Sequence, residues 1–165
     1  MLSYFEYERI SDGIRILGIK CELEDVVIPE GAVEIAEDAF CSAEIETVCF
    51  PNSLMRIGRN AFANCDFLRR VYFPKACRLR EIGESAFRNT IITELKLPCE
   101  LEKIGEYAFS GCEYLEVLDA PFESKHIEIT DTAFLGCDAL CMIYMPSGIK
   151  SLGGLEKYRK RIIFN

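Results

Sequence analysis

Ahead of each proline in the chain, apolar residues stand six, three and one positions back. The sets are Leu23/Val26/Ile28, Ile45/Val48/Phe50, Leu68/Val71/Phe73, Ile92/Leu95/Leu97, Leu115/Leu118/Ala120 and Leu140/Ile143/Met145. The last two members of each set are separated by a single residue, the spacing of a short strand with one buried face. Proline then ends that strand, because it has no N–H to give to a ladder. A second apolar segment follows and closes on Ile35, Ile57, Ile82, Ile104 or Ile129. Five residues later comes the Phe of an Ala-Phe pair, at 39–40, 61–62, 86–87, 108–109 and 133–134. The pair predicts a tight helical turn with its aromatic ring packed inward. Gly58, Gly83 and Gly105 directly follow their Ile and predict a backbone position with positive φ.

All six prolines, at 29, 51, 74, 98, 121 and 146, belong to this series, with spacings of 22 to 25 residues. A period of this length predicts a solenoid. No unit so small can bury its own apolar face, so successive units must stack. Cys65, Cys112 and Cys137 come three residues after their Phe and close the turn. The units anchored at Phe40 and Phe87 are one residue shorter there and place Ala43 and Thr90 instead. Loops after Pro74 and Pro121 are two residues longer, which predicts any irregularity on that side.

Both ends break the period, as caps on an open solenoid should. Tyr4 to Ile10 and Ile14 to Ile19 read as strands flanking the turn signal Ser11-Asp12-Gly13, a hairpin that covers the first unit. After Leu152-Gly153-Gly154, residues Leu155 to Arg161 read as a short helix and Ile162-Ile163-Phe164 as extended chain. The organisation expected is a capping hairpin over 1–22, about five repeats over 23–152 and a C-terminal cap over 153–165.

Composition narrows the function. The chain has 165 residues, enough for one domain, with 27 acidic and 19 basic side chains and a formal net charge of −8. That balance argues against a general grip on nucleic acid, whose phosphates are held by clustered Lys and Arg, and against an anionic membrane surface. No apolar run approaches the ~18 residues of a membrane span. The one basic cluster, Lys157, Arg159, Lys160 and Arg161, reads as a solvated capping face, with a nucleic-acid or phosphate site as the alternative. Nine Cys is an odd number, no C-x-x-C pair occurs, and Met1 to Ile10 lacks the apolar core of a signal peptide. These features predict buried free thiols in a reduced, cytoplasmic protein, or a cell-surface or secreted one if the N-terminus is trimmed. Equivalent positions in adjacent turns, such as Cys112 and Cys137, lie close enough for a disulfide, but their side chains would run in parallel. No nucleotide-binding glycine loop, serine-nucleophile elbow or zinc-protease motif is present. The single histidine, His126, falls where other units carry Leu54, Leu79 or Leu101. The chain is therefore expected to be no enzyme, and no cofactor or metal is implied.

The recurring unit resembles the BspA-like class of bacterial leucine-rich repeats. The likeness is carried by Leu68–Val71–Phe73–Pro74, by Ile82-Gly83-Glu84-Ser85-Ala86-Phe87, and by Leu101–Ile104-Gly105–Ala108-Phe109–Cys112–Leu115. It extends from about Leu23 to Leu152. It implies a curved right-handed solenoid with a parallel sheet on its concave side, and a role in binding or adhesion, mostly at the bacterial surface.

A solenoid usually binds through an extended, rigid sheet. Residues two before each proline (Val27, Cys49, Tyr72, Lys96, Asp119, Tyr144) and four before it (Asp25, Thr47, Arg70, Glu94, Val117, Met142) should point outward. Tyr and Arg are enriched at binding hot spots, which makes Arg70, Tyr72 and Tyr144 the leading candidates for partner contact. Glu94, Lys96 and Asp119 supply charged contacts around them. The function expected is a module for protein–protein interaction. Alternatives are a surface adhesion fragment and a structural unit that self-associates through its caps or edges, the oligomeric state being left open.

Overall fold

Each proline period folds into one turn of a solenoid with two short strands and little helix. The structure, a computed structural model, describes residues 2–121, 127–147, 149 and 151–164. A 3-10 turn at Leu2–Tyr4 leads into an antiparallel hairpin of β1 (Phe5–Ile10) and β2 (Gly13–Ile19). Strand β2 pairs in parallel with β4 (Ala32–Ile35), so the hairpin extends the sheet of the repeats. That sheet continues through the strands that end on the recurring Ile of each later turn. They are β6 (Arg56–Ile57), β8 (Glu81–Ile82), β10 (Lys103–Ile104) and β12 (Glu128–Ile129), and the sheet has seven strands in the order β1-β2-β4-β6-β8-β10-β12.

The segments before the prolines form the second face. They are β3 (Asp25–Val27), β5 (Thr47–Cys49), β7 (Arg70–Tyr72), β9 (Glu94–Lys96), β11 (Val117–Asp119) and β13 (Met142–Met145). Strand β14 (Ile162–Phe164) adds to β13 in parallel. This face is divided between a three-stranded sheet, β3-β5-β7, and a four-stranded one, β14-β13-β11-β9. The single uninterrupted sheet implied by the repeat therefore does not form on the pre-proline side; the longer sheet is the one made by the Ile strands.

The core is a stack of equivalent side chains. Rings of Phe40, Phe62, Phe87, Phe109 and Phe134 lie face to face with centroids 4.9, 5.2, 5.3 and 5.2 Å apart, and Phe5 closes the first end edge-on at 6.4 Å. Columns of Ile35, Ile57, Ile82 and Ile104 and of Val48, Leu95, Leu118 and Ile143 are fully buried beside them. Ala-Phe segments form reverse turns rather than helix. Their i→i−3 bonds, such as Ala43 N–H to Phe40 O (3.0 Å), are interleaved with bonds to the next turn, such as Phe62 N–H to Ala86 O (2.7 Å).

The glycine expectation needs correction. Positive φ falls two residues before the Phe, at Asp38, Asn60, Ser85 and Tyr107 (51 to 58°), and two residues after it, at Ser42, Asn64, Asn89, Gly111 and Gly136. Gly58, Gly83 and Gly105 are needed for a different reason. A Cβ on Gly83 would stand 2.9 Å from the backbone of Gly58, and one on Gly105 would stand 2.9 Å from that of Gly83. Neighbouring turns touch backbone to backbone there, and only glycine leaves room.

All nine cysteines are free. Cys65 Sγ donates to Phe40 O at 3.0 Å, Cys112 to Phe87 O at 3.2 Å and Cys137 to Phe109 O at 3.1 Å, each reaching the Phe of the preceding turn. Burial pushes the Cys65 thiol up to about 12 and that of Cys77 to about 11. The neighbouring Cys112 thiol, together with burial, pushes the Cys137 thiol above the ordinary range. Thr90 stands at the thiol's position in its shorter turn but donates within that turn, to Phe87 O at 3.0 Å, rather than to the preceding one.

At the C-terminal end, the expected helix is a 3-10 helix, Gly153–Arg161. Its Tyr158 hydroxyl donates to Cys137 O (2.9 Å), and Arg161 donates to Leu140 O, so carbonyls of the last turn find partners. Arg159 pairs with Glu156 at 2.8 Å and Lys157 lies 4.6 Å over the Tyr158 ring. Three of the four basic residues are thus engaged within the cap. His126 lies outside the described residues.

Candidate partner-binding face

The two sheets present different surfaces. On the Ile-strand sheet, the residue before each Ile alternates in sign: Arg15, Glu34, Arg56, Glu81, Lys103 and Glu128 stand opposite one another in register, preceded by Glu8 on β1. Ion-pair distances along the row are 2.6 Å (Glu8–Arg15), 3.1 Å (Arg15–Glu34), 3.5 Å (Glu34–Arg56), 3.2 Å (Arg56–Glu81) and 3.8 Å (Glu81–Lys103). Every charge from Glu8 to Lys103 has an opposite partner within 3.8 Å; Glu128, at the end of the row, forms no ion pair among the described residues.

The pre-proline face is not matched in this way. Central residues Val26, Val48, Val71, Leu95, Leu118 and Ile143 point into the core, and their flanking positions point outward. Thr47 departs from that expectation and is buried, because Arg70 on the next strand lies across it with Nε donating to Thr47 Oγ1 at 3.2 Å. Tyr72 is 53% exposed. Lys96 pairs with Glu94 at 3.2 Å, on the same strand. Lys96, Asp119 and Tyr144 align across β9, β11 and β13.

Strands β7 and β9 are neighbours in the solenoid but do not pair. At the other junctions, the residue before proline donates across to the next strand: Ile28 to Cys49 O, Phe50 to Tyr72 O, Leu97 to Asp119 O and Ala120 to Tyr144 O, all at 2.8–2.9 Å. The equivalent bond from Phe73 N–H to Lys96 O is missing. So is the bond to Arg69 O that would match Arg70 N–H to Glu46 O and Val117 N–H to Thr93 O. Ile91 N–H instead donates to Leu68 O at 3.1 Å, a bond found at this junction alone among the described residues. The turn after Phe87 is one residue short, as is the turn after Phe40, but only at this junction does a strand entering from a short turn follow one entering from a longer turn, the one after Phe62. The longer loop after Pro74 lies at the other end of the same junction.

The unpaired junction holds a groove of about 300 Å³. Four of the six residues predicted for partner contact, Arg70, Tyr72, Glu94 and Lys96, line it. Arg69, Val71, Phe73 and Thr93 complete it. A second depression of about 420 Å³ shares Phe73 and Lys96 with the first and adds Pro74, Pro98 and Asp119. Tyr144 stands apart from both, with its hydroxyl 3.9 Å from Met142 Sδ. Sequence reasoning missed Arg69 and the half-buried position of Phe73, which it placed in the core. The feature of the sequence that sets this junction apart is a longer turn, after Phe62, followed by a short one, after Phe87. Among the described residues, no cluster of His, Cys, Asp and Glu is arranged to hold a metal ion, and no helix is long and apolar enough to cross a membrane.

The profile of the BspA type leucine rich repeat region matches residues 19–116 and 80–155, in six copies. The chain belongs to the BspA-type leucine-rich repeat family. Its repeats are similar in structure to the leucine-rich repeat protein of T. pallidum, with a TM-score of 0.83 and 30% identity over 99% of this chain and 79% of that one. The fold also resembles the pneumococcal vaccine antigen PcpA (TM-score 0.71, 19% identity, 90% of this chain and 46% of that one). A leucine-rich repeat protein of Bacteroides capillosus is similar as well (TM-score 0.64, 24% identity, 73% of this chain and 96% of that one). No curated protein matches in sequence. BspA-type repeats of this kind are typically binding scaffolds without chemistry of their own.

Proposed function

We propose that this chain is a non-catalytic module that binds a protein partner through its pre-proline face. One observation carries the reading: the Ile-strand sheet is covered by a row of cross-strand ion pairs from Glu8 to Lys103, whereas the pre-proline face exposes Arg70, Tyr72 and Lys96 beside an unpaired junction. Exposed Tyr and Arg on a rigid sheet supply contact area at low entropic cost. The matching test is capture of partners from lysate and culture medium of the source organism, using the wild type beside the Arg70→Ala/Tyr72→Ala/Tyr144→Ala variant. A partner held by the wild type and released by the folded variant supports the reading; equal capture by both removes it. Finding the partner in lysate or in medium also separates a cytoplasmic module from a surface one.

A second reading rests on β14, an edge strand with Ile163 and Phe164 about half exposed. Unpaired edges promote strand addition. Self-association through this end predicts a sedimentation coefficient that rises with concentration and falls back in an Ile163→Lys variant.

A further inference from the structure

We propose that the open junction between β7 and β9 receives an extended acidic protein segment, with a carboxylate of that segment set between Arg70 and Lys96. The inference rests on the reading of the pre-proline face as a partner-binding surface and gives that partner a chemistry.

The first argument is the demand for hydrogen bonds. Phe73 N–H has no acceptor and Arg69 O and Lys96 O each lack the donor that their counterparts in other turns receive. Buried or half-buried backbone groups seek partners, and a groove that offers both donors and acceptors is satisfied by a peptide main chain. Free phosphate or a sulfated sugar brings acceptors in excess and would leave the carbonyls of Arg69 and Lys96 unmatched. The junction is still spanned at its start by the Ile91–Leu68 bond, so a whole strand does not insert between β7 and β9. The segment lies along the groove and directs groups into it.

The second argument is charge. In a protein of net charge −8, the groove walls carry Arg69, Arg70 and Lys96 against one acid, Glu94, with which Lys96 pairs; Arg70 donates its Nε–H to Thr47 and keeps its two terminal amino groups for a ligand. Guanidinium groups favour carboxylates through paired, charge-assisted hydrogen bonds. The third argument is shape. The adjoining depression is lined mainly by apolar residues, Phe73, Pro74, Leu97, Pro98 and Pro121, with Lys75, Lys96 and Asp119 beside them, which suits an apolar side chain next to an acidic one on an extended chain.

The test uses the full chain, labelled with 15N, and a blocked eight-residue peptide of alternating glutamate and valine. Its glutamine counterpart and inorganic phosphate serve as comparators. The expected result is a saturable shift of the Phe73, Glu94 and Lys96 amides, with affinity about tenfold or more weaker for the glutamine peptide. Affinity also falls as salt is raised. An Arg70→Glu/Lys96→Glu variant, with amide dispersion showing that it is folded, loses the response. An equal response to the glutamine peptide, or to phosphate at the same concentration, overturns the proposal, as do shifts confined to other faces. Should partner capture depend on Arg70, Tyr72 and Tyr144 while the glutamate peptide leaves these amides unmoved, the acidic-segment inference falls and the binding face stands. If neither partner nor peptide binds, both fall.

Discussion

The thiol of Cys65 lies 3.0 Å from the carbonyl oxygen of Phe40, one full turn earlier in the solenoid. The same contact recurs from Cys112 to Phe87 and from Cys137 to Phe109, so the turns of Phe62, Phe109 and Phe134 are each tied to their predecessor by a thiol. A thiol is small, apolar and a weak donor, which suits a site with one acceptor and no space for solvent. Replacing Cys65 by alanine removes both volume and donor. Replacing it by valine adds volume without a donor. Both are expected to lower stability by about 1–2 kcal/mol, with serine closer to the wild type because it keeps the donor. Urea denaturation of the three variants checks the order.

Thiol chemistry should divide along burial. Cys21, Cys41 and Cys141 are exposed, whereas Cys65, Cys77, Cys112 and Cys137 are buried. Titration of the native protein with a disulfide reagent near pH 8 is expected to modify the first three quickly and the four buried ones only on unfolding.

Alkaline stability follows from the same burial. Folding raises the Cys65 and Cys77 thiols to about 12 and about 11, above the ~8.5 of a free thiol. The folded state therefore holds protons that the unfolded state releases. This contribution is complete below about pH 8.5 and is lost as pH rises through the folded values, with a slope up to about 1.4 kcal/mol per pH unit for each thiol. A Cys65→Ala/Cys77→Ala variant should show a flatter decline in melting temperature between pH 9 and 11.

Hydrogen exchange should report the interrupted ladder. Phe50, Leu97 and Ala120 donate across their junctions, and Phe73 does not. The Phe73 amide is expected to exchange at least about tenfold faster than those three in native buffer. Equal protection would mean that β7 and β9 pair in solution.

The row of alternating charges should respond to a reversal. Arg56 stands between Glu34 and Glu81 at 3.5 and 3.2 Å. Arg56→Glu would place three like charges side by side and is expected to cost about 1–2 kcal/mol in low salt, most of it recovered in 1 M salt. Thermal melts at the two salt concentrations measure this directly.

The repeat and its core columns were legible in the sequence because each rests on spacing alone: proline, Ile and Phe recur at fixed distances, and stacking follows from the need to bury them. The hairpin was legible through Ser11-Asp12-Gly13 for the same local reason. Gly58, Gly83 and Gly105 were read through conformation, but the requirement at these sites is contact between two turns, which no single turn reveals. Thr47 looked outward by its strand position, yet Arg70 on the following strand covers it. The short turn after Phe87 and the longer loop after Pro74 are both visible in the sequence, but the equally short turn after Phe40 leaves β3 and β5 paired, so turn length alone does not locate the open junction. Arg70, Tyr72, Glu94 and Lys96 were singled out by residue type and position; that they border an unpaired junction depends on how β9 enters the solenoid.

The sign alternation from Glu8 to Glu128 also limits how such a chain can grow or shrink. Removing one turn would bring two residues of the same sign into register along the Ile strands, while removing two adjacent turns would restore opposites. For a lineage that lengthens by duplicating its own segments, the tolerated increment on this face is a pair of turns, so relatives retaining the pattern should differ in length by even numbers of repeats.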